Sequence, residues 1–133
     1  MSLFVDTGAF VARYCSDDDM HNKAVTGWKK MAKERLVTSN LVITETITLL
    51  AKRTSPEFAA DTADLIFLSE QLKIVYANRD DELQALQFIR KFSDQKISFT
   101  DSVSFVIMKN AGIAKAFSFD KHFKVVGFQL VGN

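Results

Sequence analysis

The sequence predicts an α/β protein, a single-domain α/β/α sandwich with a mainly parallel central sheet. Three observations carry that expectation. Apolar runs of strand length alternate with helical patterns, as parallel sheets covered on both faces require. Two of the runs close on acids, Leu3-Phe4-Val5 on Asp6 and Ala116-Phe117-Ser118-Phe119 on Asp120, and ligands of such sheets bind beyond the carboxyl ends of the strands. The chain of 133 residues has no linker, repeat or low-complexity segment, so one domain is expected over residues 1–133. A chain of this length buries about two-thirds of the surface its unfolded form exposes.

Leu3 to Val5 reads as a first buried strand and Thr7 to Tyr14 as a short helix. Asp17-Asp18-Asp19 is a polar break before a helix from Met20 to Glu34. Leu36-Val37-Thr38 is a second strand, after which Ser39 or Asn40 caps a helix running to Arg53. Ser55-Pro56-Glu57 restarts a helix with a capping serine, a proline at the first helical position and an acid in the first turn. That helix is expected to reach Leu72. Lys73 to Ala77 alternates as a third strand should, and Asn78 caps a helix from Asp80 to Phe92. Thr100 is placed as the cap of the next helix, with Asp101 in its first turn and Gly112 as its stop. Lys115 to Phe119 is a fourth strand and Phe128 to Val131 a short fifth.

Composition bounds the function classes. Apolar and charged fractions of 47% and 25% are those of an ordinary soluble domain. Cys15 is the only cysteine, which excludes an internal disulfide and a thiolate zinc cluster; it reads as a small buried residue. Asp6 interrupts the N-terminal apolar run after three residues, so no signal peptide is expected. No apolar stretch approaches the roughly 20 residues of a membrane span. The expected compartment is a reducing cytoplasm.

Four carboxylates stand in apolar surroundings: Asp6, Glu45, Asp101 and Asp120. Burying a charge is unfavourable unless it is paired or holds a metal, and one shared cation would explain all four. Asp6 and Asp101 also suit helix N-termini, and Asp120 a single-turn cap, so each has an ordinary structural reading of comparable weight. Glu45 differs. Its neighbours one helical turn away are Leu41 and Leu49, so it points with an apolar stripe. Hard divalent cations prefer carboxylate and water oxygens. Asp6, Glu45 and Asp101 are the expected principal ligands, and Asp120 completes the site or positions an attacking water. Thr7 and Thr100 flank two of the acids, and their hydroxyls are expected to orient a carboxylate or a water.

The net charge of +1 conceals a contrast: setting four of the 16 acids aside leaves 12 against 17 bases, an excess of +5 elsewhere. Such a distribution suits a polyanionic partner, although solvated helix faces account for any single basic cluster equally well. His21 and His122 are too isolated for a histidine metal site or a catalytic triad. Asp17-Asp18-Asp19 lacks the glycine and distal glutamate of a calcium loop and reads as a solvated turn. No phosphate-binding glycine motif accompanies Gly8.

The same residues match a family pattern. Phe4-Val5-Asp6-Thr7-Gly8-Ala9-Phe10 resembles the first motif of the PIN-domain ribonucleases, and His21-Asn22-Lys23-Ala24 the stretch that often follows it. Thr38-Ser39-Asn40-Leu41-Val42-Ile43-Thr44-Glu45 is similar to the second motif, Ile97-Ser98-Phe99-Thr100-Asp101-Ser102 to the third, and Phe117-Ser118-Phe119-Asp120-Lys121-His122-Phe123 to the fourth. The resemblance runs from Asp6 to Gly127-Phe128 with no departure at the four acids. It implies a PIN-like α/β/α nuclease domain and an endoribonuclease dependent on Mg²⁺ or Mn²⁺. Members of this size resemble the toxins of VapBC-type toxin–antitoxin pairs, which implies a homodimer and a small antitoxin partner beside the RNA substrate. A dimer also suits the helix after Ser55, where Phe58, Thr62, Leu65, Ile66 and Leu72 give a broad apolar face that Phe67 and Leu68 extend. Two alternatives stay open at this point. One is phosphotransfer through an Asp6 aspartyl phosphate, although dehalogenase-type phosphatases carry a second aspartate where this chain has Gly8. The other is a non-catalytic module whose acidic cleft holds a partner's arginines.

Overall fold

Five strands, all parallel, form one sheet in the computed structural model, which describes residues 2–132. They are β1 (Ser2–Val5), β2 (Arg35–Ser39), β3 (Leu72–Val75), β4 (Lys115–Phe117) and β5 (Gln129–Val131), in the order β3-β2-β1-β4-β5. The helices are α1 (Thr7–Tyr14), α2 (His21–Lys30), α3 (Asn40–Arg53), α4 (Pro56–Leu68), α5 (Arg79–Lys91), α6 (Phe99–Ala111) and α7 (His122–Val126). A 3-10 turn at Ser93–Gln95 precedes α6.

This strand order reverses direction once. The chain steps outward from β1 through β2 to β3, then crosses back over β1 to β4 and continues to β5. Right-handed crossovers therefore put α1 to α4 on one face and α5 to α7 on the other. The side chains agree. Phe4 of β1 meets Phe123 of α7, with ring centroids 6.5 Å apart, whereas Phe117 of β4 meets Trp28 of α2 at 5.3 Å. Phe4 pairs with Ala116, one residue before Phe117, so the two rings point to opposite faces.

Each face is sealed by aromatics. On one, Phe105 lies fully buried against Phe88, Phe123 and Phe128 at 5.6, 4.9 and 5.8 Å. Phe105→Ala is expected to lower the unfolding free energy by about 3–5 kcal/mol in a denaturant titration. On the other, a Cβ at Gly27 would stand 2.8 Å from the Phe117 ring, so glycine is what lets α2 lie this close to β4.

The expected caps are mostly in place. Ser39 accepts from the Val42 amide at 3.1 Å, Ser55 from Phe58 at 3.0 Å, and Asn78 exchanges bonds with Asp81 in a capping box. Gly112 ends α6 in the left-handed region at φ 68°. The structure corrects several boundaries, among them β4, which was expected to reach Phe119 and ends at Phe117. The helix expected from Met20 to Glu34 spans only His21–Lys30, because the chain turns after it and the carbonyls of Met31 and Glu34 accept from Gln71 Nε2, both at 2.8 Å. α4 stops at Leu68, and Leu72 belongs to β3, paired with Leu36. β3 ends before Tyr76 because the Ala77 amide donates to Asn40 Oδ1 at 2.8 Å. Ser98, not Thr100, caps α6, accepting from the Asp101 amide at 3.0 Å.

α4 turns Thr62, Ala63 and Ile66 inward and leaves Leu65, Phe67 and Leu68 exposed at 65%, 53% and 77%. Among the described residues, no helix is long and apolar enough to cross a membrane.

Candidate active site

The reversal in strand order falls between β1 and β4, and open α/β sheets bind ligands at such a point beyond the strand carboxyl ends. Asp6 leaves β1 there. Its amide extends the pairing with β4 by donating to the Phe117 carbonyl at 3.1 Å. Its backbone is extended in the manner of a helix cap, yet its side chain caps nothing. Instead Oδ2 accepts from the Ser118 hydroxyl at 2.9 Å, while Oδ1 is buried with no hydrogen-bond partner. The hydroxyl of Thr7 is likewise buried and unpartnered.

The other acids arrive from three further segments. Asp101 comes from the first turn of α6, held by the Ser98 cap. Asp120 follows β4; its amide donates to Ser118 Oγ at 3.0 Å, so one serine touches both Asp6 and Asp120. Asp120 Oδ1 accepts from the His122 amide at 2.8 Å and lies 3.0 Å from His122 Nδ1. Glu45 stands on α3, half-buried at the edge of a face whose interior is Val42, Ile43, Thr46 and Leu50. All four acids line one cleft of about 550 Å³, together with Thr7, Gly8, Ser98 and His122.

Burial and crowding together favour the protonated form of two of these carboxyls. Burial pushes the Asp101 carboxyl up to about 8, reinforced by the charge of Asp6, by a hydrogen bond with Asp120 that needs the proton, and by the charges of Asp120 and Glu45. Burial also raises Asp6, to about 6; the Ser118 hydroxyl and the Thr7 amide oppose the rise, and the charges of Asp120 and Glu45 add to it. The arrangement fits a divalent cation. Asp101, Asp120 and His122 each offer a ligand atom, all within 4.8 Å of one another. Asp6 offers the unpartnered Oδ1 from the same cleft wall. Asp6 and Glu45 lie outside that closest trio but inside the cleft.

Several expectations change. Thr100 is the second residue of α6 and is absent from the cleft wall, where Ser98 stands instead, because the helix begins two residues earlier than a Thr100 cap requires. Asp18 is not a solvated turn residue: it accepts from Arg53 at 2.7 Å and from the Met20 amide at 2.8 Å, and both Asp18 and Arg53 line the cleft. His122 and Ser118 were not singled out as site residues. Ser118 is a polar residue between two phenylalanines at a strand end, and His122 follows Asp120 by two positions; these were the available signals. His21 keeps a local role, with Nδ1 2.7 Å from the Ala12 carbonyl.

The PIN domain profile matches residues 3–129. The chain belongs to the PIN-domain family. This PIN domain is 34% identical over 126 residues to the 23S rRNA-specific endonuclease VapC20 of Mycobacterium tuberculosis, covering 95% of each chain. The crystal structure of that protein, described as a sarcin–ricin loop cleaving toxin, superposes with a TM-score of 0.87 at 33% identity, again over 95% of each chain. DNA-bound VapBC of Salmonella typhimurium gives a TM-score of 0.69 at 10% identity, covering 98% of this chain and 96% of that one. VapBC2 of Rickettsia felis bound to a promoter DNA fragment gives 0.68 at 18%, covering 98% and 97%. The last two similarities speak to the fold alone.

Proposed function

We propose that this PIN domain is an endoribonuclease that hydrolyses RNA phosphodiester bonds with Mg²⁺ or Mn²⁺, and that it is the toxin of a VapBC-type pair. The observation that carries the catalytic reading is the crowded acid cleft at the strand-order reversal. Two of its carboxyls titrate well above the usual range, and one buried oxygen has no partner. Structural carboxylates are ordinarily paired; these are left open to a cation.

Asp6, Glu45, Asp101 and Asp120 would hold the ion or ions, with His122 adjoining Asp120. The chemistry such an ion supplies when bound is activation of water and neutralisation of charge on the phosphate oxygens. The rest falls to the protein. Ser118 orients two acids at once, donating to the Asp6 carboxylate and fixing the backbone of Asp120 by accepting from its amide. Ser98 fixes the backbone of Asp101. The N-termini of α1 and α6, which carry Asp6 as cap residue and Asp101 in the first turn, present amide dipoles that favour anions, carboxylate and phosphate alike. Asp120, which contacts His122, would position the attacking water. Thr7 has an unpartnered hydroxyl for the same purpose.

The identity to VapC20 over nearly the whole chain supports structured ribosomal RNA as the substrate class. Gly8 occupies the place where aspartyl phosphotransfer would require a second acid, which disfavours that alternative. The exposed leucines and phenylalanine of α4 support a homodimer, and an antitoxin segment is proposed as the inhibitory partner. The deciding experiment is cleavage of a ribosomal RNA fragment with and without EDTA. Cleavage lost in EDTA and restored by Mg²⁺ or Mn²⁺ is expected; cleavage that persists in EDTA contradicts the metal-dependent reading.

A further inference from the structure

Five acids line the cleft: Asp6, Asp18, Glu45, Asp101 and Asp120. A polyanion entering it is repelled unless cations meet it there. The cleft wall supplies Arg53 and Lys96. Arg53 is the better placed. Glu45, Leu49 and Arg53 recur every fourth residue on α3, and all three line the cleft, so one helix face presents an acid at one end and a guanidinium about 12 Å further along. Lys96 lies in the turn leading into α6, in left-handed backbone at φ 53°.

Arg53 is already engaged, and how it is engaged matters. Its Nη1 bonds Asp18 Oδ2 at 2.7 Å and its Nη2 lies 3.4 Å from Asp17 Oδ1. The guanidinium fork thus contacts two separate carboxylates, one close and one loose. Its side chain is 35% exposed, that of Asp17 79% and that of Asp18 20%, so water reaches the guanidinium and competes most for its Asp17 contact. Exposed ion pairs of this kind are weak. A phosphodiester presents two oxygens to the same fork and is the natural competitor for a carboxylate.

Resting on the nuclease reading above, we propose that Arg53 binds an RNA backbone phosphate flanking the scissile one, and that Asp18 and Asp17 hold it at the cleft rim until RNA displaces them. Arg53 is then a substrate-positioning residue, and Asp18 sets its availability. A purely structural bridge, tying the Asp17–Asp19 turn to the end of α3, makes a different forecast. Breaking such a bridge from either side has the same effect. Under the phosphate role, Arg53→Ala removes the contact whereas Asp18→Asn frees it, and the effects have opposite signs.

The test uses the whole chain and a labelled single-stranded RNA, with affinity measured in an Asp101→Asn background over a salt series. Arg53→Ala should weaken binding about tenfold and flatten the slope of log K against log salt by about 0.7, the loss of one phosphate contact. Arg53→Lys should keep that slope and bind with intermediate affinity. Asp18→Asn should tighten binding severalfold. In the cleavage assay with intact acids, Arg53→Ala should raise KM with kcat nearly unchanged. If Arg53→Ala and Asp18→Asn shift affinity in the same direction, or neither shifts it, the proposal is overturned. Failure of the wild type to cleave RNA would instead contradict the nuclease reading, and the binding series would still decide the role of Arg53.

Discussion

Asp101 and Asp18 face the same cleft and differ in company. Burial acts on both. At Asp101 nothing opposes it: the neighbours are other acids, and the carboxyl titrates near 8. At Asp18 burial also pushes upward, but the Arg53 hydrogen bond, the Met20 amide and the Arg53 charge outweigh it and hold the carboxyl below its usual range. An acid whose electrostatics are settled by its neighbours is serving structure or waiting on a competitor. An acid whose neighbours make its charge worse keeps its proton until an ion from outside takes that proton's place. The contrast separates the two roles without reference to burial, which the two residues share in part.

The largest expected effect is on chemistry. Asp101→Asn and Asp6→Asn should each lower RNA cleavage by about a thousandfold, equivalent to roughly 4 kcal/mol of barrier, in single-turnover assays. Asp18→Asn should leave the chemical step within a few-fold. Glu45→Gln comes next, with activity reduced about a hundredfold and a weaker response to Mg²⁺ in thermal melts, while the metal-free protein remains as stable or gains.

Stability separates the two acids again, and the sign can be stated. A carboxyl whose pKa is higher in the folded state holds its proton more tightly there. Stability is therefore greatest below the unfolded value near 4 and is lost as pH rises through about 6 for Asp6 and about 8 for Asp101. Metal-free protein should melt later at pH 5 than at pH 8. Asp101→Asn should flatten that dependence and raise the pH 8 melting temperature by about 3–6 °C, roughly 1–2 kcal/mol. Asp18 runs the other way. Its lowered pKa contributes stability above its unfolded value that is lost as pH falls through the folded one, so Asp18→Asn should lower the melting temperature at pH 8 by about a degree. A smaller loss of activity than at any of the cation-holding acids is expected at Ser118. Ser118→Ala removes the bond that partly offsets the burial of Asp6, and should lower activity about tenfold by leaving two acids less well oriented.

The four acids were legible in the sequence because a carboxylate closing or interrupting an apolar run conflicts with local hydrophobicity. The alternation of strands and helices, with the Ser55-Pro56 restart and the Gly112 stop, was legible because those signals are local. What escaped was set by distance along the chain. Ser118 meets Asp6 across 112 residues and Asp18 meets Arg53 across 35, and no periodicity records either contact. Serine and threonine cap alike, so the sequence offers Thr100 as readily as Ser98. Only the start of α6 at Phe99 decides for Ser98 and removes Thr100 from the cleft. Leu72 fitted the apolar stripe of α4 until its pairing with Leu36 drew it into β3.

In the absence of metal the cleft acids hold protons that a cation would have to replace. At pH 7 a carboxyl titrating near 8 is mostly protonated, and an ion binding there must displace that proton. Isothermal titration of Mn²⁺ into metal-free protein, repeated in buffers of different ionisation enthalpy, counts the protons released. About one proton per ion is expected at pH 7, falling toward none above pH 9, with little release from Asp101→Asn at either pH. Mn²⁺ binding that releases no proton at pH 7, or release undiminished in Asp101→Asn, would contradict a cation site built on the crowding of these acids.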